Sequence, residues 1–253
     1  MRTRFVSSEQ NPDIKRIKAL RDRRSVRHAE RLCIVEGPRF VADAANVDQP
    51  WLLVVSESRA DDDLPSSGDL LIVPDRLFAQ LSDTSAPQGI LGVFPFPEPG
   101  LSSATPMILI ADGIQDPGNL GTMIRSAAAL GASRVICAAG TVDPFAPKVI
   151  RSAAAAHWHV PVLPAESLQD ELRDVALIVT DGEARVSIDE VDLDEPIAIA
   201  IGSEALGVSE SIRSLPHVAA AIPMARAVES LNAGIAASIV LYEAQRQRRF
   251  GRP

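Results

Sequence analysis

The chain has 253 residues, 46% of them hydrophobic, a formal net charge of −8, two cysteines and four histidines. That length suits two modest domains or one large one, at about 100 to 200 residues per domain, and apolar runs such as MILIA, IAIAI and VAAAI fall far short of the roughly 20 residues that cross a bilayer. Cys33 and Cys137 lie too far apart for a disulfide framework, no apolar leader precedes them, and the histidines lack zinc-like spacing, so composition points to a reducing, cytoplasmic protein without metal or membrane anchor.

The charge is unevenly spread. Residues 1–39 hold 11 Lys and Arg against five acids, and Arg246, Arg248, Arg249 and Arg252 form a basic tail. A polyanion binder needs local positive potential rather than a positive total, so both ends are candidate phosphate-contacting surfaces. From Asn11 to Ala29, apolar spacing of three to four places Ile14, Ile17, Leu20 and the stem of Arg24 on one face of a single basic helix, with cations such as Lys15, Lys18 and Arg21 on the others. Leu32 to Glu36 reads as a strand, Gly37-Pro38 as a turn, and Arg39 to Ala45 as a helix with Phe40, Val41 and Ala44 inward. Trp51 to Ser56 and Leu70 to Pro74 read as strands and Pro74 to Leu81 as a short helix. This alternation predicts a small α/β domain over residues 1–94, followed by a proline-rich linker over 95–106.

From Met107 the alternation restarts with more continuous apolar runs: Met107 to Ala111, Arg134 to Ala138, Val160 to Leu163, Val175 to Thr180, Ile197 to Ile201 and Val218 to Ile222. Such runs fit a mostly parallel sheet covered by helices on both faces, over residues 107–253. The His157-Trp158-His159 triplet reads as part of a strand.

Candidate chemistry falls in the loops after these strands. Asp116 and Pro117 signal a helix N-terminus, and the apolar face is Leu120, Met123, Ile124, Ala127 and Leu130. Gly118, Gly121 and Arg125 share the opposite stripe, so the guanidinium reaches back over two glycines, a good place for an anion. Gly202-Ser-Glu-Ala-Leu-Gly207 follows a strand, where open α/β sheets place ligands, with glycines permitting close backbone approach. Ile222 to Asn232 leads from another strand into the last helix, with Ser230 as a natural cap and Asn232 in the first turn. Taken singly, each of these has an ordinary structural explanation; loops at strand ends cluster in space, and together they suggest one site.

Asn119-x-Gly121-x-x-x-Arg125, Gly202-x-Glu204-x-x-Gly207 and Ile222-Pro223-Met224 followed by Glu229-Ser230-Leu231-Asn232 resemble the three motifs of the SpoU (TrmH-like) RNA ribose 2′-O-methyltransferases. Pro147-Lys148-Val-Ile-Arg151-Ser152 is similar to another recurrent segment of that family, and residues from Asn11-Pro to Gln88-Gly89-Ile90 to its RNA substrate-binding domain. The chain departs from the pattern at Ser203, where Asn is frequent, and at Arg226, where Gly is usual.

The resemblance implies a trefoil-knotted α/β catalytic domain that binds S-adenosylmethionine and acts as a homodimer. It implies that Gly202, Ile222 and Leu231, with Met224 and Gly207 beside them, contact the cofactor. Arg125, Asn119, Glu204, Ser230 and Asn232 would form the catalytic cluster, in which Glu204 orients Arg125 or Asn232. Lys15, Lys18, Arg21, Arg24, Arg39, Lys148 and Arg151 would contact RNA, with large-subunit ribosomal RNA favoured over transfer RNA. The alternatives are a transfer-RNA ribose methyltransferase, a non-catalytic RNA-binding protein that kept the fold, and a small-molecule α/β enzyme, which would not need the basic N-terminal helix.

Overall fold

The computed structural model describes residues 2–65, 68–98, 100, 105–164, 168–225 and 230–251, so the expectations for Arg226, Glu229, Arg252 and linker residues 99 and 101–104 lie outside the described residues. The chain forms two compact units, one of Met1–Glu98 with Phe145–Trp158, the other of Pro99–Pro144 with His159–Pro253.

The chain first builds β1 (Thr3–Phe5), α1 (Pro12–Asp22), α2 (Arg24–Glu30), β2 (Leu32–Glu36), α3 (Pro38–Ala45), β3 (Leu52–Ser56), β4 (Asp69–Val73), α4 (Asp75–Leu81) and β5 (Ile90–Pro95). The sheet order is β1-β4-β3-β5-β2, with β1, β4 and β3 parallel and β5 antiparallel to β3 and β2. Side chains alternate across these strands, so each face gains its own core. Leu32, Ile34, Val54 and Leu71 meet Ile14, Ile17 and Leu20 of α1 and Phe78 and Leu81 of α4, while Cys33, Val35, Leu53 and Val55 meet Val41 and Ala44 of α3.

Three expectations change here. The single helix over 11–29 is broken at Arg23, whose backbone is extended (φ −121°, ψ 110°). The buried cation is Arg27 rather than Arg24: its guanidinium donates to the carbonyls of Leu20 (2.6 Å) and Arg21 (2.9 Å), capping the end of α1. Arg24 is exposed. β5 also runs one residue into the expected linker, to Pro95, which pairs with Leu32, and Phe96 beyond it stacks on Phe145.

From Met107 the chain builds β6 (Met107–Asp112), α5 (Pro117–Ala129), β7 (Arg134–Cys137), α6 (Pro147–Ser152, part of the first unit), β8 (Val162–Pro164), α7 (Leu168–Glu171), β9 (Ala176–Thr180), β10 (Val186–Ser187), β11 (Ile197–Gly202), α8 (Glu210–Arg213), β12 (Val218–Ala221) and α9 (Ala233–Phe250). The second unit's sheet has seven strands in the order β10-β12-β9-β11-β6-β7-β8, all parallel. Central β6 is buried along its whole length and β11 along all but its last residue, as their unbroken apolar runs require. The His157 region is a 3-10 turn (Ala156–Trp158), not a strand, and the next strand starts at Val162.

α9 packs tightly on α5. A Cβ on Gly234 would stand 3.0 Å from Thr122 Cβ and 3.3 Å from the Asn119 carbonyl, and the hydroxyls of Ser126 and Ser238 meet at 2.7 Å. The small residues Ala233, Gly234 and Ala237 are therefore consumed within the chain.

Two arginines of the basic tail, Arg246 and Arg248, are structural. Arg248 donates to the carbonyls of Leu193 (3.0 Å), Thr105 (2.8 Å), Pro106 (3.1 Å) and Glu195 (2.8 Å), and its burial lowers its pKa from the ordinary arginine value. Arg246 is held by Glu243 at 2.7 Å. Among the described residues no helix is long and apolar enough to cross a membrane.

Candidate active site

At the end of β6, Asp116 caps α5 by accepting the Asn119 N–H at 2.8 Å, with Pro117 in the first helical position, as its sequence predicts. This capping fixes the first turn and with it the Asn119 side chain. Asn119 Nδ2 donates to Glu204 Oε1 at 2.5 Å, and Asn119 Oδ1 accepts from Asn232 Nδ2 at 2.7 Å. Glu204 Oε1 also accepts the Ala233 N–H at 3.3 Å, at the start of α9. The loops after β6, β11 and β12 are thus tied through one carboxylate–amide–amide chain, Glu204–Asn119–Asn232.

Asn232, not Ser230, is the N-cap of α9, accepting the Ile235 N–H at 3.2 Å; Ser230 lies two residues earlier, exposed on the cleft described below. Gly121 is buried, so the expected open stripe of two glycines beneath Arg125 is not there. Arg125 itself is exposed and bonds to no described residue. Glu204 spends its hydrogen bonds on Asn119 and Ala233, so within the described residues it holds Asn119, and through it Asn232, rather than Arg125.

A cleft opens beside this cluster. Its walls are Thr180 at the end of β9 with Asp181 and Gly182 beyond it, Ile201 and Gly202 at the end of β11 with Ser203, Glu204 and Gly207 beyond them, Ile222, Met224, Ser230 and Leu231 from between β12 and α9, and Ala233 and Ala236 of α9. The residues expected to contact a cofactor, Gly202, Gly207, Ile222, Met224 and Leu231, all line it. Gly202 is required by packing: a Cβ there would lie 2.0 Å from the Gly207 carbonyl carbon and 2.2 Å from Val208 N. The loop doubles back onto the strand end, closed by the Gly207 N–H to Ser203 carbonyl bond at 2.8 Å, and Gly207 takes a positive φ of +66°. Ser209 N–H donates to buried Asp112 at 2.6 Å, anchoring the same loop to the end of β6.

Sequence reasoning missed Asp181 and Arg213. Arg213 donates to Asp181 Oδ2 and to the Val208 carbonyl, each at 2.9 Å, tying the β9 end to the β11 loop. The Asp181 carboxyl is held below the ordinary carboxylate range, first by the Glu183 N–H and then by the Arg213 guanidinium. The signal available was Asp181-Gly182 just past a buried strand, the same position in the fold as the other site loops. Asp181, already paired with Arg213, and Glu204 line the cleft, and none of its described wall residues is a cation, which suits a ligand carrying positive charge.

The cations expected to meet RNA divide into two groups. Lys15, Arg24, Arg39 and Lys148 are exposed. Lys18 donates to Glu9 (3.1 Å) and Gln80 (3.0 Å), Arg21 to Asp22 and the Gln80 carbonyl, and Arg151 to Asp83, so these three brace the first unit.

A parallel sheet with glycine-bearing loops gathered at its strand ends is an α/β enzyme architecture that takes its ligand at the carboxyl edge. The chain belongs to the SpoU rRNA methylase family, whose model matches residues 106–242, and residues 11–92 match the MRM3-like substrate binding domain. It is 32% identical over 245 residues to the 23S rRNA (guanosine(2553)-2′-O)-methyltransferase RlmP of Bacillus subtilis, covering 94% of this chain and 97% of that one. It is 30% identical over 293 residues to mouse mitochondrial rRNA methyltransferase 3, covering 90% and 70%. Among solved structures, the SpoU methyltransferase AviRb of Streptomyces viridochromogenes in complex with AdoMet matches with a TM-score of 0.87 at 28% identity, over 96% of this chain and 100% of that one. The AdoMet-bound rRNA methyltransferase of Sinorhizobium meliloti matches at 0.84 and 27%, over 98% of each.

Proposed function

We propose that this chain transfers the methyl group of S-adenosylmethionine to a ribose 2′-hydroxyl of large-subunit ribosomal RNA. The observation that carries this reading is the junction of an acidic, glycine-built cleft with the Glu204–Asn119–Asn232 chain, on a helix that also bears the exposed Arg125. Bound in the cleft, S-adenosylmethionine supplies an electrophilic methyl group on a positively charged sulfur. Gly202, Gly207, Ile222, Met224 and Leu231 hold it, mainly through backbone and apolar contact, and the carboxylates of Asp181 and Glu204 favour its charge. Asn119 and Asn232 fix the loops around the acceptor ribose with Ser230 beside them. Arg125 anchors a phosphate of the RNA and stabilises negative charge on the 2′-oxygen as it takes the methyl group; its guanidinium is already protonated and accepts no proton, so the hydroxyl proton passes to water.

The same reading makes the first unit the substrate-binding domain, joined by the linker to the methyltransferase domain, with exposed Lys15, Arg24, Arg39 and Lys148 meeting phosphates. A trefoil knot belongs to it, with α9 starting beside Glu204 and Asn119. So does a cytoplasmic homodimer. α9 exposes Ile235, Ile239 and Tyr242 at spacings of four and three, an apolar stripe suited to a second copy. Ile239→Asp is expected to convert a dimer to monomers in sedimentation velocity, with a lower Tm as the stabilisation from association is lost but unchanged far-ultraviolet circular dichroism, since the side chain is 38% exposed in the single chain.

The reading is tested by incubating the protein with methyl-labelled S-adenosylmethionine and 23S ribosomal or transfer RNA transcripts, then mapping labelled riboses. Label confined to 2′-O positions of the ribosomal RNA is expected; cofactor binding with no transfer to either RNA would overturn it. Arg213→Ala is expected to raise KM for S-adenosylmethionine about 10-fold or more with a smaller effect on KM for RNA, because a positioning ion pair and a backbone hydrogen bond are lost together.

A further inference from the structure

The first unit carries a cleft that nothing above uses. It opens at the carboxyl ends of β3 and β4, occupies about 630 Å³, and includes Ser58, Arg59, Asp75, Phe78, Gln88 and Gly89 in its walls. Its shape depends on Gly89, which has a φ of +77° and whose Cβ would fall 2.5 Å from Ser56 Oγ and 2.7 Å from Arg59 Cγ. Both hydrogen bonds from Ser58, Oγ at 2.8 Å and N–H at 3.3 Å, go to Asp75 Oδ1, which leaves Oδ2 as an acceptor. These bonds also hold the Asp75 carboxyl below its ordinary range, so it stays anionic. The cleft thus combines a fixed carboxylate acceptor, an exposed side-chain amide, an apolar patch and a guanidinium, with exposed Arg39 one residue from the wall.

Resting on the reading of this chain as an RNA methyltransferase, we propose that this cleft captures an unpaired guanosine of the substrate RNA, distinct from the nucleotide that receives the methyl group. The Watson–Crick edge of guanine offers two adjacent donors, N1–H and N2–H, next to the O6 acceptor. The single free oxygen, Asp75 Oδ2, accepts from both of these adjacent donors, and the Gln88 amide donates to O6. Adenine and cytosine present one amino donor beside a ring acceptor, which would face the carboxylate lone pairs, and uracil presents a single donor between two acceptors. Bases splayed from single-stranded loops are what proteins read in RNA, and Arg59 and Arg39 supply contacts for the flanking phosphates.

The test uses the full chain and fluorescent decauridine strands whose central residue is U, A, C or G, read by anisotropy. Guanosine is expected to bind roughly tenfold tighter than the others. Asp75→Asn keeps an Oδ1 acceptor for Ser58, so it should retain the wild-type Tm and all-uridine affinity while losing the guanosine preference. Free GMP is expected to compete far more weakly than the guanosine strand, because it lacks the flanking phosphates. Absence of a guanosine preference, its survival in Asp75→Asn, or GMP binding as tightly as the strand would each overturn the proposal. If the wild-type protein meanwhile methylates 23S ribosomal RNA, only the cleft assignment falls; if it neither methylates nor binds RNA, the reading beneath it falls as well.

Discussion

Arg125→Ala is expected to lower methyl transfer by about 10²- to 10³-fold, the usual loss when one positioned donor to a developing oxyanion is removed. The structure makes this a clean experiment. Arg125 is exposed on α5 and bonds to no described residue, so its removal strands no buried partner. Alanine is also the better helix former, so Tm should hold or rise slightly. The cofactor walls lie on other side chains, so S-adenosylmethionine affinity by calorimetry should be unchanged. Arg125→Lys keeps the charge but loses the planar fork and should recover only part of the rate. Transfer by Arg125→Ala at near wild-type rate in single-turnover assays would remove Arg125 from the reaction.

Gly202→Ala should abolish cofactor binding outright. The added methyl meets backbone, not a side chain that can swing away: Gly207 C at 2.0 Å, Gly207 O at 2.1 Å and Val208 N at 2.2 Å. The loop from Ser203 to Val208 must lift off the strand end, taking with it Glu204 and the Arg213 bond to the Val208 carbonyl. Overpacking of this kind costs about 2 kcal/mol or more, or roughly 4–8 °C in Tm for a unit of this size. Calorimetry showing a wild-type affinity for S-adenosylmethionine would mean that the loop has another position compatible with binding.

The buried parallel strands were legible because solvent-free strands leave an unmistakable apolar run, and the site loops because such strands end on one edge. Asp116 and Pro117 announced α5 to the residue. What escaped reading depends on partners distant in sequence. β1 and β10 are too short to show a pattern, and the break at Arg23 goes with Arg27 reaching back to carbonyls of the previous helix. Ser230 and Asn232 are both good caps, and what singles out Asn232 is the Ile235 N–H it accepts while its amide is held by the distant Asn119. The basic tail could not be told from a nucleic-acid contact, because a guanidinium meets phosphate and backbone carbonyls with the same donors, and Arg248 uses carbonyls. The pairing of Asp181 with Arg213 has no sequence signature at all.

The Asn119–Asn232 hydrogen bond spans 113 residues and involves the cap of the last helix. During synthesis β6 and α5 emerge long before α9, and their half of the cluster waits on a late, non-local docking step of the kind that slows folding. Most of the first unit, by contrast, is made early from nearby segments. On the proposed reading, a chain truncated before α9 is expected to lack the reaction centre altogether, because Asn232 and the Ala233 N–H that meet Asn119 and Glu204 come with that helix, so premature termination is expected to give an inactive chain rather than a weak enzyme.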